Sequence, residues 1–178
     1  MNLLKTSILL FCFSNLILKV DAAISEIGIN YKRCLSGFYE INQGTWINAG
    51  GVSLGKNLGK DKTYIFSGIN YIPTILIESK TKYLQIPLEL RTYFFNRIIF
   101  FEAGFDLRWI LNYNYIENNQ YLQEYGFGYN IAFGVQQIIR SNIFLNLKAF
   151  YSNGFSFEYR KAHMTNCGFE AEIAISIL

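Results

Sequence analysis

Few residues in this 178-residue chain could perform acid–base or covalent chemistry. His163 is the only histidine, and it lies near Ser156, Glu158 and Thr165. A hydroxyl, an imidazole and a carboxylate are the parts of an activated-nucleophile hydrolase, because the ring takes the hydroxyl proton and the acid orients the ring. The spacing matches no such triad that we recognise, and a single histidine excludes a histidine-built metal cluster. Two carboxylate pairs, Glu102/Asp106 and Glu170/Glu172, have the residue types of a glycosidase pair. With Glu89, Arg91, Arg108 and Lys148 close by in the pattern, they read more simply as charges that balance one another inside a closed structure. The run Gly50-Gly51-Val52-Ser53-Leu54-Gly55-Lys56-Asn57 nearly spells a phosphate-binding loop. Its last position lacks the metal-binding hydroxyl and no helix opens after it, so a glycine-rich hairpin turn is expected.

The elements that must position these residues follow from alternation. Leu84, Ile86, Leu88 and Leu90 share one face, with Gln85, Glu89 and Arg91 on the other. Ile99, Phe101, Ala103, Phe105, Leu107, Trp109 and Leu111 oppose Glu102, Gly104, Asp106, Arg108 and Asn112. A period of two is that of strands. The pattern recurs in Tyr125–Gln136, in Ile143–Ser152 apart from Phe144 and Phe150, and in Phe169–Ile177, while weaker strands are expected at about 26–34, 45–54 and 63–73. Eight strands with long and short connections in rough alternation describe an all-β, eight-stranded antiparallel up-and-down transmembrane β-barrel. The long connections are expected at 35–44, 113–124 and 153–166, a medium one at 74–82, and short ones at 55–62, 94–97 and 137–142.

Lys5, the apolar run Ile8–Leu18, and Val20 and Ala22 at the −3 and −1 positions form a signal peptide over residues 1–22, leaving 23–178 as the barrel domain. Of the chain, 17% is aromatic and only 16% charged, against about 25% charged in ordinary soluble domains. A net charge of +3 without any basic block excludes a nucleic-acid partner. The apolar face is bulky over ten or more positions, and the opposite face mixes glycine with acids and bases. That arrangement points the apolar face at lipid and encloses a charge network of Glu89, Arg91, Glu102, Asp106, Arg108, Lys148, Glu170 and Glu172. Tyr31, Tyr71, Trp109, Tyr125 and Tyr151 are expected to form an outer aromatic girdle. Gly44-Thr45-Trp46 matches the Gly-x-Trp signature of lipocalins, whose barrels point the apolar face inward.

After removal of the signal peptide the cysteines are Cys34 and Cys167, near the same rim of neighbouring first and last strands. A disulfide there is a candidate, but alternation puts Cys34 on the polar face and Cys167 on the apolar one. The bond therefore needs one of them in a loop or bulge.

The run Lys82-Tyr83-Leu84-Gln85-Ile86-Pro87-Leu88-Glu89-Leu90-Arg91 resembles the Tyr-Leu-Glu-Ile-Pro-Leu-Leu-Leu-Lys signature of PorT-like outer-membrane β-barrels. It departs at Gln85 and Glu89, and the chain ends in Leu178 rather than an aromatic. The resemblance implies a location and an architecture rather than an activity. It also draws attention to Pro87, since a strand proline marks a bulge or distorted pairing. The expectation is a secreted outer-membrane protein with both termini periplasmic and no cofactor, and with a structural, envelope-assembly or surface-interaction role. Its partners are outer-membrane lipid and, through the long loops, envelope proteins or extracellular ligands. A lipid A-modifying hydrolase centred on His163 and a soluble lipocalin-like carrier are the alternatives.

Overall fold

The structure is a computed structural model that describes residues 24–38, 43–59, 62–76, 79–111, 125–155 and 164–177. Residues 1–22, expected to be a signal peptide, and His163, Ser156 and Glu158 lie outside the described residues. Eight strands run in order: β1 (Glu26–Phe38), β2 (Gln43–Asn57), β3 (Thr63–Leu76), β4 (Ser79–Phe94), β5 (Ile99–Ile110), β6 (Tyr125–Arg140), β7 (Ile143–Phe155) and β8 (Met164–Ser176). Each pairs antiparallel with the next, and β8 closes on β1.

The first four strands are longer than alternation alone indicates, so the expected connections at 35–44 and 74–82 shrink to 39–42 and 77–78. Backbone pairing extends past the last recognisable apolar position in each hairpin. The near phosphate-binding run Gly50–Asn57 is likewise the end of strand β2 rather than a turn.

From Tyr31 the register passes through Gly50, Tyr71, Leu84 and Trp109 to Tyr125. In the other direction it passes through Ala171 and Leu147 to Val135. The ten-residue offset between Tyr125 and Val135 on β6 is the shear of the barrel. Ten residues of about 3.3 Å against eight strand spacings of about 4.8 Å set a tilt of about 40°. At that tilt even β5, with 12 residues, rises along the axis by about 30 Å, the thickness of a bilayer's hydrocarbon core.

The barrel is apolar outside and polar inside. Ile29, Phe105, Phe133 and Phe169 face outward and are 68%, 69%, 58% and 68% exposed, whereas Arg91, Glu102, Asp106 and Glu172 are at most 2% exposed. Water would favour the reverse, so this distribution is that of a wall in lipid. The interior is layered. Near the end that holds the termini, Tyr64, Phe66, Tyr93 and Phe100 pack together. Near the far end Cys34, Ile47, Ala49, Ile72 and Tyr83 form a second apolar layer, with Phe150 against it. Phe144 and Phe150, which break the alternation of β7, thus fill lumen layers.

The β4–β5 turn closes the termini end. Phe95, Asn96 and Arg97 all have left-handed backbones, with φ of 47°, 56° and 69°. Such residues cost about 1–3 kcal/mol each and persist only where surrounding contacts hold them. Arg97 supplies those contacts. Its guanidinium pairs with Glu26 at 2.7 Å and sits 4.9 Å from the ring centroids of both Tyr64 and Tyr93. Burial works against its charge, but Tyr64 and Glu26 more than offset this and hold its pKa above the ordinary arginine value.

The charged lumen as the candidate functional site

Between the two apolar layers lies a band of ions, each brought inward by the same alternation that turns its neighbours to the wall. Arg91 of β4 joins Glu102 of β5 to Glu172 of β8, the latter at 2.8 Å. Lys148 of β7 bridges Glu102 at 2.5 Å and Glu170 at 3.3 Å, and Lys32 of β1 reaches Glu170 at 2.9 Å. The chain of ions thus crosses the barrel rather than running along one hairpin. Glu172 also accepts hydrogen bonds from Ser53 and, at 2.9 Å, from Asn146. The Arg91 guanidinium lies 4.0 Å from the Phe66 ring and 4.6 Å from Phe100, which joins the ionic band to the aromatic layer beneath.

A second cluster sits nearer the far end. Arg108 pairs with Asp106 at 2.7 Å, while Gln85 and Ser152 donate to Asp106 at 2.7 and 3.1 Å. Glycines make room for it: a Cβ on Gly154 would lie 2.7 Å from the Arg108 guanidinium, and one on Gly128 would lie 2.8 Å from both Arg108 and Asp106. Glu89 is the lumen acid without an ion pair among the described residues, and Asn130 donates to it at 2.5 Å. It borders two cavities of about 10 Å³ each. Each has room for about one water.

All eight residues expected in the charge network therefore face the lumen, and seven of them form ion pairs there. The sequence reading missed Lys32, Ser53 and the Glu26–Arg97 pair. Lys32 was legible, since Asn30 and Lys32 alternate with Ile29, Tyr31 and Arg33; Arg97 was not, because turn residues carry no periodicity.

The candidate girdle residues Tyr31, Tyr71 and Trp109 point outward and are 53%, 40% and 39% exposed. They do not lie level. They follow one cross-strand row, and with the tilt that row climbs from mid-height at Tyr31 toward the far end at Trp109. Tyr151 faces outward against Tyr129, with ring centroids 6.2 Å apart, and the Tyr125 side chain lies outside the described residues. Trp46, 54% exposed near the far end, is an aromatic of that rim which the girdle reading left out.

The candidate disulfide is corrected by the structure: Cys34 and Cys167 are free thiols. Cys34 pairs with Gly168, and Cys167 with Leu35. A one-residue offset on adjacent strands turns one side chain inward and the other outward, and no bulge intervenes to reunite them.

No protein-family model matches the chain, and no curated protein matches it in sequence. Solved structures match the fold. Neisserial surface protein A is similar at a TM-score of 0.63 with 9% identity, over 85% of this chain and 96% of that one. The outer membrane enzyme PagL gives 0.53 and 12%, over 86% and 100%. The N-terminal β-barrel domain of Pseudomonas aeruginosa OprF gives 0.50 and 14%, over 83% and 97%. The fold is that of the small outer-membrane barrels.

Proposed function

We propose that this chain is a non-enzymatic outer-membrane barrel with periplasmic termini, whose far-end connections face the cell exterior and take part in surface or envelope interactions. The observation that carries the proposal is the inverted distribution of polarity around a filled lumen. The apolar wall needs lipid, and the ionic band that cross-links the interior argues against a general diffusion pore, since eight strands enclose a space that side chains fill. The longest connections, 111–124 and 156–163, both leave from the far end. Long loops on one rim are how such barrels present contact surfaces. The similarity of segment 82–91 to the PorT-like signature supports a closer kinship with that group.

The test is fractionation. The mature protein should sediment with outer membranes and need detergent for extraction; a monomer soluble without detergent would overturn the reading. The alternative is a lipid A-modifying hydrolase, since the same barrel fold also carries an enzyme, PagL. Comparing lipid A masses between cells carrying the native chain and His163→Ala decides it, since loss of a modification would establish the hydrolase.

A further inference from the structure

The barrel wall is not continuous. Between β2 and β3 the register begins at Asn57↔Tyr64 and stops at Gly50↔Tyr71. On either side of this break pairing continues to the rim, with β1 and β2 paired up to Phe38↔Gln43 and β3 and β4 up to Leu76↔Ser79. Residues 43–49 of β2 and 72–76 of β3, each still paired on its other side, therefore do not pair with one another along a seam that opens toward the far end. The physical cause is Pro73, the residue that would oppose Asn48 if the register continued. It brings no N–H to the ladder. The lumen stays closed behind the seam because Ile47, Ala49 and Ile72 pack together on its inner side.

An open sheet edge cannot stand bare in hydrocarbon, because its backbone groups have no other partners there. What flanks the seam indicates what covers it. Arg33, Asn48, Pro73 and Lys82 form one outward row across four strands, two residues beyond the Tyr31 row. Arg33 and Lys82 are both exposed, and every acid among the described residues faces inward. Arg33 is five residues short of the rim residue Phe38, about 12 Å below it along the axis. Its side chain climbs. The guanidinium takes Asn48 as an acceptor at 3.4 Å and lies 5.9 Å from the ring of Trp46, which is one outward position nearer the rim. Asn48 is held in turn by Tyr31, whose hydroxyl donates to it at 2.8 Å. A guanidinium has five donors in a fork that matches a phosphate, and this one is anchored through a single hydrogen bond among the described residues.

We infer that this face binds the phosphate of an anionic lipid in the outer leaflet, held by Arg33 and Lys82, with its acyl chains lying along the seam. The inference rests on the reading of the far end as the outer face. A lipid fits better than an added protein strand, because Pro73 spoils the β3 edge as a template and the outward charge flanking the seam is all of one sign among the described residues.

The test uses the mature full-length chain carrying Trp109→Phe, which leaves Trp46 as its only tryptophan. The protein is refolded into phosphatidylcholine vesicles in which either phosphatidylcholine or a minor phosphatidic acid component bears brominated acyl chains. Quenching of Trp46 should show at least a threefold preference for phosphatidic acid, and Arg33→Gln with Lys82→Gln should return the ratio to about one. Circular dichroism confirms that each variant is folded. The inference is overturned by a ratio of one in the unaltered site or by a preference that survives both substitutions. It is also overturned if millimolar inorganic phosphate abolishes the preference, because the site would then take free phosphate. Shielding of Trp46 from both lipids in a cross-linkable dimer would show instead that a strand of a second copy fills the seam. Failure of fractionation would remove the membrane reading itself, whereas a quenching ratio of one leaves that reading intact.

Discussion

Removing the Arg91 guanidinium while keeping its volume, as in Arg91→Met, tests whether the lumen ions hold the barrel together. Arg91 is 1% exposed and is shared between two carboxylates that are 2% exposed or less. Taking one partner from a buried pair costs about 3–5 kcal/mol, chiefly because the remaining charge is stranded. The structure says which acid suffers. Glu102 keeps Lys148 at 2.5 Å, whereas Glu172 is left with no ion pair among the described residues and with hydrogen bonds from the neutral donors Ser53 and Asn146. Restoring neutrality with Glu172→Gln in the Arg91→Met background should therefore recover most of the loss, and Glu102→Gln should recover much less because it releases Lys148 as well. The assay is guanidinium unfolding of the refolded barrel in vesicles, followed by tryptophan fluorescence. A loss below about 1 kcal/mol would refute the reasoning, since that is the scale of an exposed pair. Equal rescue by the two glutamines would refute the asymmetry.

Four further outcomes are expected. Phe105→Arg, in mid-wall, should lower unfolding free energy by about 2–4 kcal/mol, while Trp109→Arg nearer the rim should lower it by about 0–1 kcal/mol; equal costs in the same assay would contradict the lipid-facing assignment. Gly154→Ala should push on the Arg108 guanidinium and cost about 1–3 kcal/mol by overpacking, and a thermal melt unchanged from the parent would count against that crowding. In the folded barrel a lipid-soluble maleimide should label Cys167 and spare Cys34, and the denatured, unreduced mature protein should show two thiols. Pro73→Val returns an N–H to the β3 edge, so hydrogen exchange of residues 45–49 should slow; unchanged exchange would show that proline is not what parts the strands.

Alternation made the strands and their inward residues legible because every second side chain meets a different solvent. It could not supply what depends on neighbours across the sheet. Tyr31 looks like a girdle residue in a linear reading, but shear places it at mid-height while Trp109 on the same row approaches the rim. Cys34 and Cys167 share a rim, yet an offset of one residue in the β1–β8 register separates their faces. The parity objection visible in the sequence was sufficient to exclude their bond once the strands proved regular.

The two prolines show the same limit from the side of backbone chemistry. Pro87 was expected to distort pairing. It does so on one side only, where the β3–β4 register lapses between Ser67↔Leu88 and Asn70↔Gln85, while Pro87 itself pairs regularly with Asp106 of β5. The lapse is bridged: Ser67 donates its hydroxyl to the Pro87 carbonyl at 2.9 Å, and seven more β4 residues pair with β3 beyond it, from Gln85 to Ser79 at the rim. Pro73 removes the same donor from the β2–β3 ladder, but it stands only two residues beyond Tyr71, the last residue of that ladder, and no pairing resumes between it and the rim. One missing N–H is thus absorbed in mid-sheet and opens the wall near an edge. The sequence shows both prolines alike, and only the register tells which of them leaves a seam for lipid to cover.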